Sequence, residues 1–175
     1  NIHISFIDLE TTGTNFSKHE VIEIAIKVIS LNKIDGSRLM AIGSYEALSQ
    51  PLVPISEDIS KINGITNEMV EGKSIDWGKV DAILSTSQLV VAHNANFDRP
   101  FLEKYIEKKI PWACSLSDIN WLDRGFANAK QELLCIWHGF YYEAHRAMSD
   151  VDALINLVTH ESYTDNMPIV ELIDN

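Results

Sequence analysis

Apolar and polar residues alternate in three segments of the first third of the chain, which is the period of a β-strand with one face buried. The first segment, 2–6, leads into Asp8, and the second covers 21–30. The third, 38–46, follows a polar Asp-Gly turn, so the three are predicted to form a meander. The residues predicted to share one face of the second strand are Ile22, Ile24, Ile26 and Val28.

Helical and strand patterns alternate in the rest of the chain. Short helices and loops precede a longer predicted helix over 74–86. The run Leu89–Ala92 is short and continuously apolar, which is typical of a buried central strand. Apolar residues at three-to-four spacing predict a helix over 97–106. A strand near 111–115 is followed by two helices, the second with an apolar stripe over 151–158.

The order β-β-β-α-β-α-β-α-α predicts an α/β fold in which helices cover the faces of a mixed sheet. No repeat, low-complexity stretch or Pro/Gly-rich linker divides the 175 residues. The hydrophobic content of 46% is enough for a sizeable core. We therefore expect a single domain over 1–175.

Charge and cysteine content narrow the range of functions. The net charge of −11 argues against binding along duplex nucleic acid through a basic stripe. Cys114 and Cys135 form no CxxC pair, so neither a disulfide framework nor a cysteine zinc site is expected, and a reducing, cytoplasmic location is favoured. No apolar run is long enough to cross a bilayer and no secretion signal is evident, so we expect a soluble protein without a membrane partner.

Two acidic residues lie near the end of the first predicted strand. Asp8 and Glu10 are two positions apart, so the pleat points both carboxylates to one side before the turn at 11–13. Oxygen ligands on one face suit Mg²⁺ or Mn²⁺, which bind carboxylates, waters and phosphate oxygens. The simpler alternative is a polar strand end that leads into a turn.

Three further candidate residues come later in the chain. Asp98 is near the start of a helix that follows a buried strand, and Asp150 opens another helix, five residues after His145. Open α/β sheets place ligand sites where strands end and helices begin, and a histidine there can accept a proton from an attacking water. The alternatives are a first-turn carboxylate that complements the helix dipole, an N-cap and a surface histidine.

The segments FIDLETTG, HNANFDRPFL and HRAMSDVDA, in this order, resemble the three exonuclease motifs of the DEDD superfamily in its histidine branch. This is the family of the proofreading subunit of bacterial DNA polymerase III, ribonuclease T and oligoribonuclease. The resemblance extends from about Ile4 to Val158. A tyrosine-branch enzyme has Tyr four residues before the last aspartate, where this chain has Arg146.

The resemblance implies a ribonuclease H-like fold, with a mixed five-stranded sheet flanked by helices, and 3′→5′ exonucleolysis. It also implies two Mg²⁺ or Mn²⁺ ions per site, with His145 as the general base. The implied metal ligands, which are also catalytic residues, are Asp8, Glu10, Asp98 and Asp150.

Substrate contacts are implied by the same resemblance, with the turn 11–13 near the terminal 3′-hydroxyl. Phe97 either packs in the core or against a base, and Asn94 either contacts substrate or holds its turn. The segment KINGIT resembles a substrate-contacting loop in which many proofreading relatives have His at the position of Asn63. The candidate substrate-binding residues are Thr11, Thr12, Gly13, Asn63, Asn94 and Phe97.

The expected activity is hydrolysis of single-stranded nucleic acid from its 3′ end to nucleoside monophosphates, with DNA slightly favoured over RNA. An RNA 3′-exonuclease of the oligoribonuclease or ribonuclease T type is the alternative, since the sequence shows no clear reader of the 2′-hydroxyl. A non-catalytic module that binds nucleic acid or a polymerase is a further alternative. The candidate protein partners are a polymerase and a second copy of the chain.

Overall fold

The computed structural model describes residues 1–175. Its strands follow the apolar and alternating segments of the sequence. The bounds of the strands are β1 (Ile2–Thr11), β2 (Val21–Leu31), β3 (Arg38–Leu48), β4 (Leu89–Ala92) and β5 (Trp112–Cys114). The predicted β4 is confirmed residue for residue, and the three long strands run beyond their predicted ends.

The helices are α1 (Glu57–Asn63), α2 (Asn67–Val70), α3 (Trp77–Leu84), α4 (Ala95–Glu103), α5 (Gln131–Trp137), α6 (Ala147–Val158) and α7 (Pro168–Ile173). α3 is shorter than predicted at both ends, and it starts later because Asp76 is its N-cap, with its side chain 3.0 Å from the Lys79 amide nitrogen. α7 is a helix beyond the two predicted after β5, and it begins at Pro168, a residue favoured at that position. None of these helices is long and apolar enough to cross a membrane.

The five strands form one mixed sheet in the order β3-β2-β1-β4-β5. β1, β2 and β3 pair antiparallel as the predicted meander, whereas β4 is parallel to both β1 and β5. Because β1 and β4 are parallel, their carboxyl ends meet at one edge of the sheet. This is the edge at which open α/β sheets bind ligands.

Two hydrophobic cores lie on opposite faces of this sheet. Ile4 and Phe6 of β1 belong to the core beneath α5, α6 and α7, while Ile7 and Leu9 belong to the core beneath α3 and α4. The alternation therefore places Asp8, like Ile4 and Phe6, on the face that α6 covers.

β2 differs from its prediction as a strand with one buried face. Ten of its eleven residues are buried, because it pairs with strands on both sides and carries a core on each face. Ile22 does not share the face of Ile24: Thr11 pairs with Val21 and Glu10 pairs with Glu23, so Ile22 is the extra residue of a bulge. It packs instead in a small third core with Ile55, Ile65 and Val70.

Candidate active site

A cavity of about 770 Å³ opens at the carboxyl ends of β1 and β4. Its lining includes all four predicted metal ligands and the predicted base. Asn94 and Phe97, two of the predicted substrate-binding residues, line it as well. Elements that are far apart in sequence, from β1 to α6, thus converge on one concave surface.

Three of the four acidic residues form a compact group. One carboxylate oxygen from each of Asp8, Glu10 and Asp150 lies within 4.8 Å of the others. Asp98 is not a member of this group, although it lines the same cavity and its charge raises the pKa of Asp8. The first three residues therefore suit one shared cation, and Asp98 lies at the side of that position.

Two buried carboxylate oxygens in this cavity have no hydrogen-bond partner, Asp8 Oδ2 and Asp98 Oδ1. Buried polar atoms are nearly always paired, and an exception calls for a physical explanation. Oxygen atoms of carboxylates are the ligands that Mg²⁺ and Mn²⁺ prefer. The four residues therefore fit divalent cations, which would satisfy both orphaned oxygens.

Electrostatics support the same fit. Burial, followed by the neighbouring carboxylates, raises the pKa of Asp8 well above its usual range. Burial also raises the pKa of Glu10 to about 8 and that of Asp98 to about 8. The pKa of Asp150 is raised by burial, although its interactions with Asp8 and with the His145 amide act in the opposite direction. Bound cations would stabilise the ionised form of every one of these groups.

The segment between β4 and α4 presents Asp98 to the cavity. Asn94 adopts the left-handed conformation, with φ 74° and ψ 57°, and makes no side-chain cap hydrogen bond. The Ala95 amide donates to Cys114 Sγ at 3.3 Å, which ties the helix start to β5. Phe97 is half-buried, with its ring centroid 5.2 Å from that of Phe101, and it also lines the cavity. Phe97 therefore packs against the core residue Phe101 and also lines the cavity, and its contact with a base stays a prediction.

His145 lies on the exposed side of the cavity. Its backbone is in the left-handed region, with φ 66°, and its amide donates to Asp150 Oδ1 at 3.3 Å. Its Nε2 is 3.4 Å from Glu132 Oε1, and 54% of the side chain is exposed. The imidazole therefore borders both the acidic group and solvent, as a base that accepts and releases protons requires.

The turn after β1 is held by internal contacts. Thr11 Oγ1 donates to the Gly13 carbonyl at 2.6 Å, and the Thr12 amide donates to the Glu20 carbonyl at 2.9 Å. A Cβ at Gly13 would lie 2.5 Å from the His19 ring, so any other residue there would require the His19 side chain to move. These residues do not line the cavity, and the amide of Thr12 is already occupied.

Asn63 ends α1 next to the acidic group. It is 5% exposed, its Oδ1 accepts from the Ile65 amide at 2.9 Å, and its side chain near Glu10 partly counters the rise in the pKa of that carboxyl. It does not line the cavity itself. The Asn at this position therefore supports the Gly64 turn and the Glu10 carboxylate at the same time.

The RNase T exonuclease family model matches residues 5–158. The chain belongs to this exonuclease family. Its curated relatives include the PolC-type DNA polymerase III of Thermotoga maritima, 38% identical over 104 residues, which cover 58% of this chain and 7% of that protein. The same polymerase of Bacillus subtilis is 29% identical over 164 residues, which cover 86% of this chain and 11% of that protein. The chain thus matches only a small part of these relatives.

Solved exonucleases share the fold. The structure of Exonuclease X in complex with 5′-overhanging duplex DNA aligns with a TM-score of 0.65 at 25% identity and covers 96% of this chain and 99% of that one. Exonuclease I aligns with a TM-score of 0.72 at 18% identity, covering 98% of this chain and 42% of that one. The predicted α/β fold, a mixed five-stranded sheet flanked by helices as in ribonuclease H, is confirmed.

Several residues that line the cavity were missed by the sequence analysis. Lys130 and Glu132 at the start of α5 line the cavity, as does Tyr142. No local motif identifies them, because α5 reaches the cavity only through tertiary packing. Glu23 was also missed, although a signal existed: it is an acidic residue inside the apolar pattern of β2.

His93 also lines the cavity but has a structural role. Its Nδ1 is 2.8 Å from Ser115 Oγ and its Nε2 is 2.7 Å from the Ala129 carbonyl oxygen. Burial lowers the pKa of this imidazole and so favours its neutral form. With both ring nitrogens engaged, His93 joins β4, β5 and the segment before α5.

Proposed function

We propose that this chain is a metal-dependent 3′→5′ exonuclease that hydrolyses single-stranded nucleic acid and releases nucleoside monophosphates. The observation that carries the proposal is the convergence of Asp8, Glu10 and Asp150 within 4.8 Å, with orphaned carboxylate oxygens on Asp8 and Asp98. A surface acidic cluster would be hydrated, whereas Asp98 is buried, the other three residues are half-buried, and the two orphaned oxygens are out of contact with solvent. The arrangement supports two Mg²⁺ or Mn²⁺ ions held by these four residues.

Divalent cations bound here would supply charge stabilisation for the attacking and leaving oxygens of an in-line displacement. The carboxylates of Asp8, Glu10, Asp98 and Asp150 hold that charge in place because each is fixed by a strand or a helix. An enzyme with a net charge of −11 can thereby bind an anionic strand end at one position without a basic surface.

His145 is the proposed general base. The oxygen of a water molecule attacks phosphorus, its proton passes to a ring nitrogen of His145, and the bond from phosphorus to the 3′ oxygen of the preceding nucleotide breaks. That 3′ oxygen then takes a proton from solvent. The exposure of His145 supports this role, because the imidazolium must lose its proton before the next turnover.

The end specificity is proposed from the turn after β1. By the family resemblance, the segment of Thr11, Thr12 and Gly13 lies against the terminal sugar, with Asn63 close by. The internal hydrogen bonds of this turn support the proposal, since a rigid backbone can exclude a strand that continues past the site. Asn94 and Phe97 line the cavity and are the proposed contacts to the terminal nucleotide.

We favour DNA over RNA as the substrate, because the relatives include DNA polymerases and Exonuclease X is solved with DNA. The same relatives support a polymerase as a protein partner of the chain. Matched 3′-labelled DNA and RNA strands, digested with Mg²⁺, with Mn²⁺ or with excess chelator, test the proposal. We expect metal-dependent mononucleotide release, faster from DNA, and protection of circular and 3′-phosphorylated strands. Activity in excess chelator, or rapid cutting of circles, would contradict it.

A further inference from the structure

Glu23 of β2 is a buried carboxylate outside the acidic group. It is 7% exposed and pairs in register with Glu10 across the β1–β2 hairpin. Its oxygens accept from Arg146 Nη2 at 2.8 Å, from Arg146 Nε at 3.3 Å and from the Ala147 amide at 2.7 Å. One carboxylate of the sheet therefore binds two consecutive residues at the start of α6.

These two residues directly follow His145, whose backbone is held in an unfavourable conformation. A non-glycine residue at φ 66° is in a sparsely populated conformation, which persists where the surrounding structure holds it. On one side the His145 amide donates to Asp150 Oδ1 at 3.3 Å, and on the other the Glu23 carboxylate holds Arg146 and Ala147. Without Glu23, the second anchor is lost and the backbone is free to leave the left-handed region.

We propose that Glu23 is a positioning residue that presents the His145 imidazole to the cavity by fixing the backbone of 145–147. This inference rests on the proposed role of His145 as the base. Arg146 serves as the counter-charge that makes the buried carboxylate tolerable, since a buried charge without a partner is strongly destabilising. Glu23 is therefore the informative residue to replace, because an Arg146 variant would leave an unpaired carboxylate beside Glu10.

A general tether between β2 and α6 is the rival explanation, and the chain offers a control for it. Lys27 of β2 contacts Asp152 of α6 through a second salt bridge. This pair joins the same strand to the same helix, is partly exposed and does not contact 145–147. If Glu23 acted only by holding α6 to the sheet, then loss of the Lys27 pair would have a comparable effect.

The test is a double-mutant cycle on the full chain, at saturating Mn²⁺, with a 3′-labelled DNA strand as substrate. Glu23→Ala should lower kcat by about 10²-fold, the scale of a misplaced catalytic group, with little change in KM. Glu23→Gln retains an acceptor for the Ala147 amide, so its kcat should fall less than that of Glu23→Ala. In a His145→Ala background, Glu23→Ala should change kcat by less than about 2-fold, because the group that it positions is gone. Lys27→Met should leave kcat at the parent level.

Three results would overturn the inference: an equal loss of kcat in both backgrounds, the same loss in Lys27→Met, or a parallel loss of Mn²⁺ affinity measured by calorimetry.

An independent measurement is the amide hydrogen exchange of 143–150, which should quicken in Glu23→Ala and stay unchanged in Lys27→Met. Exchange does not depend on turnover, so it separates a failure of this inference from a failure of the proposed function. If the parent protein were inactive but its amide exchange still quickened in Glu23→Ala, then the proposed function would be contradicted while the contact of Glu23 with 145–147 would be supported.

Discussion

The cavity has two walls that differ in burial and in chemistry. The acidic wall, formed by Asp8, Glu10 and Asp98, is built on β1 and α4, and its carboxylates include the two orphaned oxygens. The open wall, formed by Lys130, Glu132 and His145, belongs to α5 and to the loops at the starts of α5 and α6. Asp98 is 2% exposed, whereas the Glu132 and His145 side chains are 55% and 54% exposed.

This difference agrees with the roles proposed for the two walls, metal binding and proton transfer. Groups that hold cations benefit from burial, because a low dielectric strengthens their attraction to the ions. A base must exchange its proton with water in every cycle, so burial would impede it. The buried carboxylates of the acidic wall therefore destabilise the folded protein when no metal is bound. The exposed residues of the open wall carry little such penalty, and their geometry depends on contacts such as those of Glu23.

The largest effect is expected for the acidic wall. Asp98→Ala should remove one of the two Mn²⁺ ions and lower turnover by about 10³-fold, because a charge that stabilises the reaction is lost along with its cation. Calorimetry and single-turnover kinetics measure the two effects. Asp58→Ala is the control: Asp58 is also in the first turn of a helix but is exposed. Equal losses of Mn²⁺ binding and turnover in Asp98→Ala and Asp58→Ala would show that Asp98 only complements the helix dipole.

The open wall should respond differently. His145→Ala should keep Mn²⁺ affinity near the parent value while turnover falls by about 10²-fold, the usual scale for loss of a general base. If His145→Ala lost metal as Asp98→Ala does, then the distinction between the two walls would fail, and His145 would be a ligand or a structural residue.

The acidic wall should also make the metal-free protein less stable as pH rises. The folded-state pKa values of Glu10 and Asp98, about 8, lie above the unfolded-state values near 4, so the folded state binds more protons between these limits. The free energy of unfolding should therefore fall from about pH 4 to about pH 8 in chelator.

Urea denaturation at pH 5 and pH 8 measures this slope, and Mn²⁺ should stabilise the protein most at pH 8. Asp98→Asn should be more stable than the parent at pH 8, because it removes a buried carboxylate that must otherwise ionise. A metal-free protein that gained stability between pH 5 and pH 8 would show that these groups are paired in a way the structure does not contain.

The sequence identifies all three residues of the acidic wall but only His145 of the open wall, and this difference has a physical reason. Asp8 and Glu10 follow from the two-residue period of β1, and Asp98 follows from the junction of β4 and α4, so local rules place them. Lys130 and Glu132 lie at the start of a helix whose approach to the cavity is set by packing between distant elements. No periodicity encodes that packing.

The prediction of the fold is limited in the same way, because local patterns do not encode contacts between distant elements. The bounds of β4 follow from its continuous apolar run, which is typical of a buried central strand. The bulge at Ile22, by contrast, depends on the register of β1 against β2. Register is a property of a pair of strands, so one strand read alone assigned Ile22 to the wrong face. The importance of Glu23 also appears only when β2 is paired with β1 and the start of α6 is placed above it.

The smallest expected effect concerns Asn94, which borders the acidic wall. The sequence left open whether Asn94 contacts substrate or holds its turn. Its φ of 74° suits glycine, and its exposed side chain caps nothing and lines the cavity. Asn94→Gly should keep the free energy of unfolding and raise KM about 5-fold, the value of one neutral hydrogen bond to substrate. Asn94→Ala should raise KM equally and also destabilise the protein by about 1 kcal/mol, because alanine is strained in the left-handed region. Steady-state kinetics and urea denaturation separate these effects. A glycine variant with the parent KM would restrict Asn94 to holding the turn, and the substrate contacts of this wall would then fall to Phe97 and the metal ligands.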